Sequence, residues 1–229
     1  MSLSLPALAL TSVVAAAAGA ALGWWPLTAW VRRELRSRRP ATIGVRVASA
    51  IGAGVLWGVW AGLFLDTVIA AVIPALFAFA ACGTVLAVID VIEQRLPNRV
   101  LLWTTGAVAL LLVGASTATG AWMPLLGALL GAAGLFVLYL VIALLAPRSF
   151  GMGDVKLAVP VGLLLGWFGL DAWLVGLVLG AVVGGVFAVI SLVRRARRGE
   201  GVRNGMIPYG PAMLTGTVLA VAAVGVYVA

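Results

Sequence analysis

Apolar residues run through this chain in long blocks, and the polar positions fall mostly between them. Eight blocks stand out, at about residues 5–30, 44–65, 67–89, 100–118, 122–146, 155–169, 172–193 and 209–228. Most reach the roughly 20 residues that a helix needs to cross the hydrocarbon core of a bilayer. None alternates at period two, as the strands of an outer-membrane barrel do. The pattern predicts an all-α integral membrane protein, a polytopic bundle of about eight transmembrane helices forming a single domain over residues 1–229. The sixth block, VKLAVPVGLLLGWFG, is the weak one, being short and interrupted by Pro160. Small residues recur, as in GALLGAAG (127–134) and GAVVGGV (180–186), and suit close helix approach in lipid. The first block lacks a basic leading segment and a small-residue cleavage site, which predicts an uncleaved first helix.

Composition agrees with a membrane protein. The chain is 64% hydrophobic and 10% charged, with a mean hydropathy of +1.19, where soluble domains carry about 25% charge. It has one cysteine, Cys82, and no histidine. That removes disulfide frameworks, zinc–thiolate sites, histidine-based triads and haem ligation by histidine. Cys82 lies in an apolar run and reads as a small packing residue.

The net charge of +8 raises the question of nucleic acid, and the placement of the charges answers it. Arg32, Arg33, Arg36, Arg38, Arg39 and Arg46 lie in or beside the first loop, a short basic segment at 31–43. Arg95 and Arg99 lie between the third and fourth blocks, and Arg148 and Lys156 before or at the sixth. Arg194, Arg195, Arg197, Arg198 and Arg203 lie between the last two. With eight spans these four loops share one side, and the opposite connections carry only Asp66 and Asp171. The positive-inside rule then predicts four cytoplasmic loops and both termini on the non-cytoplasmic side. The arginines read as topology signals and contacts to anionic membrane lipids rather than to nucleic acid.

Seven acids remain to be placed. Glu34 and Glu200 sit among arginines as solvated charges, and Asp66 and Asp171 flank short turns as ordinary helix caps. Asp90 ends the third block, at the negative end of its helix dipole, where a carboxylate is disfavoured. Asp154 begins the sixth, so the topology sets both aspartates at one depth near the inner face. Acids at the hydrocarbon edge are costly and mark function. Two carboxylates held close share a proton, as an aspartic protease requires: one takes a proton from water, the other protonates the scissile carbonyl. Gly151 and Gly153 before Asp154 would let the backbone bend and a substrate strand approach; alternatively the run is a loop ending in an N-cap. Lys156 is the only lysine, against fourteen arginines, which suggests a role that arginine cannot fill.

Three segments resemble the type IV prepilin leader peptidases, a family of GxGD-type intramembrane aspartyl proteases. GMGDVK (151–156) is similar to the family's G-x-G-D-x-K signature. DVIEQRLPNRV (90–100) resembles its first aspartate segment, and IPYGPAMLTG (207–216) the segment opening its last helix. The likeness is best over 67–228. It implies Asp90 and Asp154 as the catalytic pair, with Gly151, Gly153 and Lys156 as supporting motif residues. It also implies a pilin or pseudopilin precursor as substrate, cut after a glycine at the cytoplasmic face of a bacterial inner membrane. No metal or organic cofactor is implied. Larger members carry a cytoplasmic domain with two cysteine pairs, linked to N-methylation; the 31–43 loop and lone Cys82 offer neither, so methyl transfer is not expected here. Where some members have a further acid this chain has Ile92, and Glu93 reads as a loop charge pairing with Arg95 or Arg99, or as an attractor for a basic leader. The rival classes are a small proton-coupled transporter, whose acids would lie nearer the midplane, and a non-catalytic secretion subunit, which would need neither aspartate.

Overall fold

The computed structural model describes residues 4–36, 43–67, 70–145, 151–197 and 209–228, and among these there is no strand. Arg38, Arg39, Arg148, Arg198, Glu200, Arg203, Ile207 and Pro208 fall outside the described residues. The helices are α1 (Leu5–Leu22), α2 (Thr28–Glu34), α3 (Ile43–Phe64), α4 (Ile73–Glu93), α5 (Asn98–Thr119), α6 (Met123–Leu145), α7 (Met152–Trp167), α8 (Leu170–Arg197) and α9 (Gly210–Val228). Each apolar block becomes helix because lipid offers no partner for an open backbone group, and a helix satisfies its own.

Among the described residues seven helical segments are long and apolar enough to cross a membrane. α7, the sixth expected span, is not among them: it has 16 residues, or ~24 Å, shorter than a usual crossing. It continues through Pro160 as helix. The first segment is longer than expected. α1 passes through a π-helical turn, Gly23–Leu27, into α2, making 30 continuous residues. Pro26 inside that turn has no N–H to give, and the Thr28 hydroxyl donates to the Gly23 carbonyl at 2.8 Å.

Helices pack where glycines let backbones touch. Gly127 meets Gly166 and Gly131 meets Gly162, so α6 and α7 run antiparallel in direct backbone contact, and a Cβ at any of the four would strike the facing backbone. The Trp173 indole donates to the Gly131 carbonyl at 3.1 Å and ties α8 to this pair. α1 and α3 touch in the same way through Gly19, Gly23, Gly54 and Gly58, and α8 and α9 through Gly216 on Gly180. α4 lies at the centre of the bundle, burying Leu76, Phe79, Leu86 and Ile89. Trp57 of α3 stacks on Phe77 of α4 with ring centroids 4.4 Å apart.

Three long-range bonds gather one set of helix ends at the same end of the bundle. Arg95, just past α4, donates to the Glu34 carbonyl that closes α2. Lys156 of α7 reaches Asn98 at the start of α5, and Gly210 at the start of α9 reaches Asp90 near the end of α4.

Candidate active site

At that end lies a cavity of about 230 Å³, lined by Asp90, Gly151, Gly153, Asp154 and Lys156 together with Arg95, Leu96, Asn98 and Tyr209. The two aspartates, 64 positions apart in the chain, thus face one space, and their carboxylates interact electrostatically.

Asp90 is buried, at 4% exposure. α4 continues to Glu93, so Asp90 stands in its last turn rather than at its end, and its carbonyl accepts the Gln94 amide as the helix closes through a left-handed Gln94, φ 51°. The negative end of α4 disfavours a carboxylate there. The offset comes from another helix. The Gly210 N–H, one of the unpaired amides at the N-terminus of α9, donates to Asp90 Oδ2 at 3.2 Å. Gly210 must be small to come so near: a Cβ there would sit 2.9 Å from Asp90 Oδ2 and 3.4 Å from Leu96.

Asp154 is half-buried in the first turn of α7. Its place corrects the N-cap alternative. Gly151 is the cap, and Asp154 stands three residues on, its N–H bonded to the Gly151 carbonyl at 3.1 Å. The positive end of α7 favours an anion there. The glycines also need a different account from a sharp bend. Gly151 has φ −85°, which any residue adopts, and Gly153 is helical. Gly153 matters for space, because a Cβ on it would come 3.1 Å from Leu96 Cβ, on the loop after α4. A Cβ on Gly151 would meet only ordinary contact, 3.5 Å from Asp154 Oδ2.

Lys156 is exposed and donates to Asn98 Oδ1 at 2.9 Å. The lone lysine therefore joins the two aspartate-bearing segments, since Asn98 lies in the segment that Asp90 opens. Glu93 pairs with Arg95 at 2.5 Å, and the Arg95 guanidinium also holds the Glu34 carbonyl. This is the loop-charge role expected of Glu93. Asp171 sits in the first turn of α8.

Two tyrosines escaped sequence reasoning. The Tyr139 and Tyr209 hydroxyls lie 3.2 Å apart, and both phenols are within electrostatic reach of Asp154. Burial pushes the Tyr209 phenol up, so it remains a neutral donor at ordinary pH. Tyr209 lies in the third motif segment, which was a signal without an assigned role; Tyr139 sits in a uniformly apolar helix and gave none. An apolar groove of about 620 Å³ between α3, α4 and α9 begins beside this cavity, at Val91, Ile92 and Pro211. Among the described residues no cluster of three or more acids and cysteines could hold a metal ion.

Residues 77–189 match the model of the type IV leader peptidase family. The match takes in both aspartate segments and stops short of the expected 67–228, leaving out α9. No curated protein and no solved structure matches the chain.

Proposed function

From the membership of residues 77–189 in the type IV leader peptidase family, we propose that the chain is a prepilin peptidase using Asp90 and Asp154 as a dyad. The observation that carries this is the single cavity faced by both carboxylates. Among the described residues no basic side chain is bonded to either aspartate, and two carboxylates facing one cavity favour sharing one proton.

In the proposed reaction one carboxylate, ionised, takes a proton from a water between the pair. The water oxygen attacks the carbonyl carbon of the glycine at the leader junction, while the protonated partner donates to the carbonyl oxygen. The tetrahedral intermediate collapses with proton transfer to the leaving amine, and the C–N bond breaks. The Gly210 amide keeps the Asp90 carboxylate oriented without a positive side chain that would neutralise it. Lys156 and Asn98 hold α7 against α5 and so set the distance between the acids. The apolar helix that follows the junction lies against the bundle, and the groove starting at Val91 and Ile92 has the right character for it.

The membrane setting belongs to the same proposal. α7 counts as a crossing and brings the total to eight spans of a bacterial inner membrane, the cavity opens on the cytoplasmic side with the arginine-rich loops, and both termini lie outside. The test is co-expression with pilin or pseudopilin precursors and a gel-shift readout of leader loss. Wild type should process a precursor; Asp90→Asn and Asp154→Ala should not, while still inserting and melting as wild type does. Processing by Asp154→Ala in membranes would sink the dyad.

A further inference from the structure

A second polar pocket lies at the same end of the bundle, outside the aspartate cavity. It has a volume of about 230 Å³ and is lined by Trp24, Trp25, Thr28, Ala29, Arg32 and Arg46. Trp25, Thr28 and Arg32 follow one another down a single face of the first helix at helical spacing. Arg46 comes from the first turn of α3. The two helices are locked together just beside the pocket, where Gly23 rests on the backbone of Ser49 and Ala50.

Depth along the helix gives the pocket its meaning. From Leu5 to Trp25 is ~30 Å of helix, the thickness of the hydrocarbon core. The two tryptophans therefore stand at the boundary where indoles collect, and they are 43% and 78% exposed. Arg32 lies ~10 Å further on, at the level of lipid phosphates. Among the described residues neither Arg32 nor Arg46 has a hydrogen-bond or ion-pair partner. Topology alone asks only that arginines be in the loop; it does not ask two of them, from two helices, to face one walled space floored by indoles.

We propose that this pocket is a binding site for an anionic phospholipid, with Arg32 and Arg46 gripping the phosphate and Trp24 and Trp25 bordering the glycerol and upper acyl chains. Arginine suits the role because its planar fork meets two phosphate oxygens at once. The bound lipid would brace the end of the first helix, where the Glu34 carbonyl receives Arg95 from the aspartate cavity.

The test is native mass spectrometry of the full chain in mild detergent, titrated with phosphatidylglycerol or phosphatidylcholine of the same acyl chains. Wild type should retain one phosphatidylglycerol about 30-fold more tightly than phosphatidylcholine, whose choline cation offsets the phosphate charge that the two arginines would meet. R32Q/R46Q should fall to the phosphatidylcholine level. R32K/R46K keeps the loop charge, and hence the topology, and should lose several-fold of the preference. Millimolar inorganic phosphate should leave the adduct in place. Equal retention of the two lipids, unchanged phosphatidylglycerol binding in R32Q/R46Q, or displacement by inorganic phosphate would each overturn the assignment.

Discussion

Gly210→Ala is the sharpest perturbation of the proposed site, because it adds one methyl group at a known spot. The new Cβ would stand 2.9 Å from Asp90 Oδ2, where ordinary contact begins near 3.4 Å. The carboxylate, or the start of α9, must retreat by about 0.5 Å, and the 3.2 Å bond from the Gly210 N–H must lengthen with it. Reacting groups need to be held within roughly 0.5 Å, and a 1 Å error costs on the order of 100-fold. The shift here should therefore lower kcat/KM about tenfold. The fold should tolerate it: alanine suits the first position of a helix, and the melting temperature should stay within about 3 °C of wild type. The assay is single-turnover cleavage of a precursor in membranes, with thermal melting alongside. Gly114→Ala is the control, since nothing lies within 4 Å of a Cβ there. Cleavage by Gly210→Ala at the wild-type rate, with Asp90→Asn still inactive, would refute the claim that the α9 amide positions Asp90.

Three further outcomes are expected. Lys156→Met and Asn98→Ala should each slow cleavage by about fivefold, the double variant should be no slower than either single one, and additive losses would break the clamp between α7 and α5. Gly162→Ala drives a methyl into the Gly131 backbone and should destabilise the bundle by about 1–3 kcal/mol in a detergent melt, whereas a neutral result would mean that α6 and α7 are not in backbone contact. Gly151→Ala should leave more cleavage activity than Gly153→Val, because a methyl at Gly151, with its ordinary φ, meets only ordinary contact while a branched side chain at 153 must displace Leu96; the reverse order would restore the bend as the reason for these glycines.

Hydropathy alone located every helix, usually to within three residues, because lipid imposes one rule on all of them. It ended the first, third and seventh blocks too soon: α2 carries Arg32 and Arg33 onward as helix, α4 runs to Glu93 and α8 to Arg197. Asp90 and Asp154 stood out because acids are rare here, and the structure brings the two to one cavity. Their supports did not stand out. The Gly210–Asp90 bond joins residues 120 apart, and a backbone amide has no sequence signature. Lys156 stood out by type, but its partner Asn98 is an unremarkable polar residue at a helix start. The glycine contacts between α6 and α7 were foreshadowed by GALLGAAG, yet composition cannot say which helix such a face will meet. The tyrosine pair depends on two helices arriving side by side, and neither residue differs from an ordinary interfacial tyrosine when read alone.

The Asp90 carboxylate takes its amide from the start of α9, which leaves the ribosome after both aspartates. During synthesis both aspartates can already be in the membrane while Asp90 still lacks that contact. A chain stalled or clipped before α9 would be a membrane protein with both acids present and the Asp90 contact unmade. The contact that holds Asp90 is therefore made late in insertion, after both acids are in place.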